Sequence, residues 1–148
     1  MTDQRLPAEE RALLAAVLDT FLPGSPEWPA ATDLDLPAEA IRLAGLSVAG
    51  LAPLRALLAA LPAGFATHGP DERETALTAL AASEPAGFGA ALQAAYNAYY
   101  IDPRVLAIVA AKTGYRPGAP QPDGHELPPF DEALIAAART RAPHWRQA

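Results

Sequence analysis

Tyr96-Asn97-Ala98-Tyr99-Tyr100-Ile101-Asp102-Pro103-Arg104-Val105-Leu106, followed closely by Lys112-Thr113-Gly114-Tyr115, decides how the chain is read. Tyr96, Tyr99 and Tyr100 are spaced i, i+3 and i+4, so on a helix they share one face. Phe88 and Leu92 continue that face toward the N-terminus. Asp102-Pro103 is a helix start. The aspartate offers a side-chain acceptor at the N-cap, and a proline in the first helical position loses no hydrogen bond by lacking an N–H. One helix therefore ends near Ile101 and another begins at once, which sets Asp102 and Arg104 at a tight corner. Gly114 fits the left-handed residue that closes a helix. All four tyrosines lie between 96 and 115, so polar-tipped aromatic surface is concentrated here.

Working upstream, Ser83-Glu84-Pro85 caps the long helix that carries the tyrosines. Gly69-Pro70 opens the helix before it, with Asp71, Glu72 and Glu74 at its N-terminal end and Leu77 and Leu80 inside. Ala52-Pro53 opens another through Leu54, Leu57, Leu58 and Leu61, stopped by Pro62 and Gly64. Asp35 and Pro37 start a short helix to about Ala44, with Ile41 as its main core residue. Ser25 to Asp35 is a loop in which Trp28 packs down as a lid on the core. The first helix opens at Pro7-Ala8-Glu9-Glu10, proline at its first position and two acids where the helix dipole favours them. Leu13, Leu14, Val17, Leu18, Phe21 and Leu22 give it an amphipathic stripe, and Pro23-Gly24 stops it.

Downstream, Val105, Leu106, Ile108 and Val109 are too many for a one-sided stripe, so the helix over about 103–113 is predicted to be the most buried. From Gly114 to Phe130 the character changes. Five prolines and three glycines fall in 17 residues, with almost nothing to form a core. Extended at about 3.1 Å per residue, this arm reaches roughly 50 Å. Asp131 then caps a last short helix through Leu134 and Ile135 to about Thr140, and Trp145 near the terminus is expected to anchor the far end. The prediction is an all-α, single-domain bundle of six or seven helices over 1–113, with the proline-rich arm and terminal helix over 114–148 in the same domain.

Composition agrees with that class. Alanine is about a quarter of the 148 residues, which favours closely packed helices. The net charge is −6, and residues 1–99 hold 12 acids against 5 bases while residues 100–148 hold 5 against 6. An acidic body lacks the cationic footprint that nucleic-acid binding needs, and points instead to a protein partner. The absence of cysteine excludes disulfides and thiol chemistry. Ala12 to Leu22, broken by Asp19, is too short and too charged to span a bilayer, so no membrane insertion is expected. The N-terminus has no basic n-region, twin arginine or small-residue cleavage site, so the chain as it stands reads as cytoplasmic. It is periplasmic only if a leader is missing or is carried by a partner.

No catalytic constellation emerges. His68, His125 and His144 are scattered and form no ligand pattern, and Gly87-Phe88-Gly89 lacks the strand and third glycine of a dinucleotide fingerprint. No catalytic, cofactor-binding or metal-binding residue is therefore predicted. The Asp102–Arg104 corner reads as a cap with its ion pair. Its alternative is an acid and a cation in a pocket lined by tyrosines, which would make the chain a stand-alone enzyme or small-molecule binder using Tyr99 to Arg104. A third reading is a helical adaptor. The residues expected at a partner interface are Tyr99, Tyr100, Arg104, Tyr115, Arg116, Phe130 and Trp145.

Phe21-Leu22-Pro23-Gly24 followed by Trp28-Pro29-Ala30-Ala31, behind a helix that opens Pro7-Ala8-Glu9-Glu10-Arg11, resembles the start of the gluconate 2-dehydrogenase subunit 3 family. Tyr99-Tyr100-Ile101-Asp102-Pro103-Arg104-Val105 resembles that family's Y-x-D-P-R segment. Lys112-Thr113-Gly114-Tyr115, the proline-rich arm and Trp145-Arg146 extend the likeness over most of the chain, residues 40–90 adding little. The resemblance implies a non-catalytic accessory subunit of a flavin-dependent dehydrogenase of the glucose–methanol–choline type. FAD and the oxidation of a sugar or alcohol would then belong to the large subunit. This chain would hold no cofactor and would assist that subunit's folding, stability or export. The twin-arginine leader of many family members is not present in this sequence.

Overall fold

The computed structural model describes residues 6–115 and 130–141. It contains α1 (Ala8–Phe21), α2 (Leu36–Gly45), α3 (Ala52–Ala60), α4 (Pro70–Ser83), α5 (Pro85–Ile101), α6 (Pro103–Thr113) and α7 (Ala133–Arg139). Two 3₁₀ turns, Ala31–Asp33 and Phe65–Thr67, interrupt the connections, and no strand occurs among the described residues. The fold is all-α, as predicted. The chain divides into two compact units, Met1–Arg116 and Pro117–Ala148. Nearly all of the proline-rich arm, residues 116–129, lies outside the described residues.

In the first unit α5 is central and packs against α1, α2, α3, α4 and α6. Its buried side is made of small residues, Gly87, Ala91, Ala94, Ala95 and Ala98, with Tyr99 at the end. Bulk comes from the neighbours: Leu14 and Leu18 of α1, Leu36 of α2, Leu54 and Leu57 of α3. Small residues on one helix let large ones from several others interdigitate at crystal-like density. At Gly87 the approach is closest. A Cβ there would lie 2.9 Å from the Pro53 carbonyl oxygen and 3.0 Å from Leu57 Cβ, so α3 meets α5 almost backbone to backbone.

Two expectations about the core and one about a helix start are corrected. The sixth helix is not the most buried, for in α6 only Val105 is fully enclosed. This helix lies at the edge of the bundle against α5, so Leu106, Ile108 and Val109 are only half-covered. In α2 the main core residues are Leu36 and Ala40, while Ile41 sits half-buried at the margin. Pro7 stands one residue outside α1, as its N-cap, rather than in the first helical position.

Phe65 is a core residue that sequence periodicity gives no hint of. It lies in a three-residue 3₁₀ turn, packs against α1, and is among the largest fully buried side chains. A partly buried ion pair also joins distant segments. Arg73 Nη2 of α4 lies 3.3 Å from Asp19 Oδ2 of α1, and Arg73 Nη1 donates to the Ala16 carbonyl at 3.4 Å.

Helix ends follow local chemistry closely. Glu72 accepts the Gly69 N–H at 3.1 Å ahead of α4. Gly114 closes α6 with φ +73°. In the second unit Asp131 Oδ1 accepts the Ala133 N–H at 2.9 Å to start α7, and Arg139 reaches Glu132 at 2.6 Å. Among the described residues no helix is long and apolar enough to cross a membrane.

Candidate functional site

Successive residues of a helix are turned by about 100°, so Tyr99 and Tyr100 cannot both point inward. Tyr99 takes the buried side at 5% exposure, while Tyr96 and Tyr100 lie on the outer flank, Tyr100 at 51%. The Tyr99 hydroxyl donates to the Pro29 carbonyl oxygen at 2.9 Å. Its ring meets Tyr100 edge to face, with centroids 5.4 Å apart, and Tyr100 lies 6.3 Å from Tyr96. Burial pushes the Tyr99 phenol up from its ordinary value, with Tyr100 and Asp102 adding to the rise.

Pro29 is delivered to Tyr99 by a folded-back turn. Gly24 has φ +79°, and a Cβ there would stand 2.7 Å from the Ala30 nitrogen, so only glycine permits the return. Ser25 and Trp28 then exchange backbone hydrogen bonds of 2.9 and 3.2 Å. Trp28 packs half-buried on the core, the lid expected of it. Lys112, near the end of α6, sets its ammonium 5.9 Å from the Trp28 ring centre and 2.6 Å from the Glu27 carboxylate. The turn is thereby tied to α6, a link between residues 85 apart that sequence spacing could not disclose.

At the corner, Asp102 Oδ1 accepts the Arg104 N–H at 2.9 Å, the cap predicted for α6. The Arg104 side chain turns back on the same carboxylate, Nε at 3.1 Å and Nη2 at 3.0 Å. Its Nη1 donates to the Asp33 carbonyl at 2.8 Å, which fastens the corner to the first 3₁₀ turn. The Arg104 side-chain hydrogen bonds hold the Asp102 carboxyl below the usual aspartate range, helped by the backbone N–H groups of Arg104 and Val105 and opposed by burial. The nearby Glu39 is drawn down by Arg42, 2.6 Å away.

Two shallow depressions border these residues. One, of about 260 Å³, is lined by Phe21, Leu22, Trp28, Tyr99 and Tyr100. The other, of about 290 Å³, is lined by Glu39, Ile101, Asp102 and Arg104. Their resources are aromatic faces, one outward tyrosine, the Asp102 and Glu39 carboxylates paired with Arg104 and Arg42, and the carboxylate of Asp35. The displaced acids, Tyr99 upward and Asp102 and Glu39 downward, move away from neutrality, where general acid–base work needs them. Among the described residues no group of three or more histidines, aspartates or glutamates is arranged to hold a metal.

Of the residues expected at an interface, Tyr100 and Arg104 are exposed where α5 passes into α6, while Tyr99 is buried. Tyr115 is exposed just past α6, and Phe130 is exposed in the second unit. Arg116 and Trp145 lie outside the described residues. Trp28 and Lys112 complete the aromatic face, though the sequence marked one as a lid and the other only as part of a motif. Compared with family models, with curated proteins and with solved structures, the chain matches none.

Proposed function

We propose that this chain is a non-catalytic small subunit that binds, stabilises or assists the maturation of an FAD-dependent sugar or alcohol dehydrogenase. One observation carries the reading. The two segments that resemble gluconate 2-dehydrogenase subunit 3, residues 21–31 and 99–105, meet in space. Tyr99 holds the Pro29 carbonyl and Tyr100 shares a depression with Phe21 and Trp28. Motifs that lie about 70 residues apart thus form one surface, rich in tyrosine and tryptophan, the residue types that anchor protein interfaces. The flavin and the chemistry belong to the partner in this reading. The reading of the Tyr99–Arg104 corner as a substrate pocket is the weaker one, because the Arg104 guanidinium and the Asp102 carboxylate are already engaged with each other and with the Asp33 carbonyl.

The test is co-expression with an FAD-dependent sugar or alcohol dehydrogenase large subunit from the same genome. Expected results are co-purification, and higher flavin occupancy and thermal stability of the large subunit when the small one is present. Tyr100→Ala, which alters an exposed ring, should weaken the association without unfolding the subunit. A large subunit that loads flavin and melts identically without this chain overturns the reading. So does stoichiometric flavin on this chain alone.

A further inference from the structure

A second surface, away from the motif residues, is defined by what it lacks. Every other helix of the bundle carries charged side chains, but α5 has none in its 17 residues. Its exposed stripe of Gly89, Gln93, Tyr96 and Asn97 runs uncharged through a protein of net charge −6. An exposed face this poor in charge departs from ordinary surface and has the composition of an interface centre.

Beside this stripe lies an open groove of about 520 Å³, between α5 and the connection from α2 to α3. Leu43 of α2, Leu46 of the connection and Pro53 and Leu54 of α3 line it opposite α5, and none of the described residues that line it is charged. Leu46 is 71% exposed, and Val48 in the same connection is fully exposed. Gln93 and Asn97 line the α5 side. Neither carboxamide makes a hydrogen bond to another described residue.

The two amides stand one helical turn apart, a rise of about 6 Å. An extended polypeptide repeats its same-side backbone groups every two residues, about 6.4–6.8 Å. Each carboxamide offers one acceptor and two donors, the match of a peptide group. A helical ligand has spent its backbone groups internally and offers them nothing. A charged ligand would lose hydration against a wall that returns no counter-charge.

We propose that this groove binds an extended, uncharged segment of a partner protein. Gln93 and Asn97 hydrogen-bond its backbone, and its apolar side chains seat against Leu43 and Leu46. The inference stands apart from the flavoprotein reading, because it depends on none of the motif residues.

A library of terminally blocked random octapeptides, selected against the folded chain, provides the test. Sequences poor in Asp, Glu, Lys and Arg should be enriched. Their affinity should fall at least tenfold for the Gln93→Ala/Asn97→Ala variant and likewise for Leu46→Glu. All three positions are exposed, and circular dichroism and a melting curve confirm that each variant folds. N-methylation of alternate residues of an enriched peptide should abolish binding to the unaltered chain, a readout that requires no variant. The proposal is overturned if nothing is enriched over the double variant, if charged sequences win, or if N-methylated peptide binds equally well. It is also overturned if sedimentation shows the chain pairing with itself through this face and these variants break the pair.

Discussion

Tyr99 donates its phenolic hydrogen to the carbonyl oxygen of Pro29 across 2.9 Å, joining the end of α5 to the turn that follows α1. The tyrosine is buried, and the carbonyl belongs to a turn that Ser25 and Trp28 already close on themselves. The hydrogen bond therefore fastens that closed turn to the end of α5.

Tyr99→Phe keeps the ring and removes the donor. A net loss of about 0.5–1.5 kcal/mol is expected, read as a lower melting temperature, while Tyr100→Phe leaves it unchanged. The phenol of Tyr99 ionises above the ordinary 10.0, so the unfolded chain gives up its proton first as pH rises. Stability from this group is complete below pH 10.0 and is lost on passing upward through the folded value. The gap between the native protein and Tyr99→Phe should consequently narrow in alkali. A gap that is constant from pH 7 to 11 would contradict this.

Asp102→Ala should cost about 0.5–2 kcal/mol through loss of the α6 cap. Asp102→Asn keeps an acceptor for the Arg104 N–H and should cost less. Because the Asp102 carboxyl is held below its ordinary 3.8, its contribution is present above that pH and disappears as pH falls through the folded value. Melting curves from pH 6 to 2 should show native protein and Asp102→Ala converging at the acid end. If reconstituted dehydrogenase activity collapses in Asp102→Ala while the melting temperature holds, the residue acts on the partner and is not a cap alone.

Two glycines two residues apart on α5 should respond oppositely to alanine. Gly87→Ala drives a methyl against the Pro53 carbonyl and Leu57, and should destabilise by about 1–3 kcal/mol. Gly89→Ala enters open space within a helix and should stabilise by about 0.5–1 kcal/mol. Chemical denaturation of the pair checks both signs at once.

Replacing residues 116–129 by a short glycine linker should leave the bundle's melting temperature unchanged and weaken binding to the proposed flavoprotein partner. Prolines reduce the freedom lost when a segment is ordered along a partner, which suits these residues to that task. Unchanged affinity in a titration would place the interface elsewhere.

Helix boundaries were legible because their signals are local. Asp102-Pro103, Gly69-Pro70 and Gly114 state a cap, a first residue and a stop within two or three positions. The Asp102–Arg104 pair was legible for the same reason. Depth of burial was not. Val105 to Val109 looks deep because it is apolar, yet coverage depends on how many helices lie against it, and α6 lies at the bundle's edge. Phe65 looks incidental because a three-residue turn has no period to display. The joining of Lys112 to Trp28, of Arg73 to Asp19, and of Gln93 and Asn97 to a groove is set by chain topology, which no window of residues contains.

Trp28 makes the aromatic corner optically observable. The chain has only one other tryptophan, Trp145, so a Trp145→Phe protein emits from Trp28 alone. Its indole is half-buried, lines the same depression as Tyr99 and Tyr100, and lies beneath the Lys112 ammonium. Excitation of those tyrosines will pass to it over so short a distance. A partner settling on this face dehydrates the ring and shifts its emission to the blue, whereas a ligand confined to the α5 groove leaves the colour of the light unchanged.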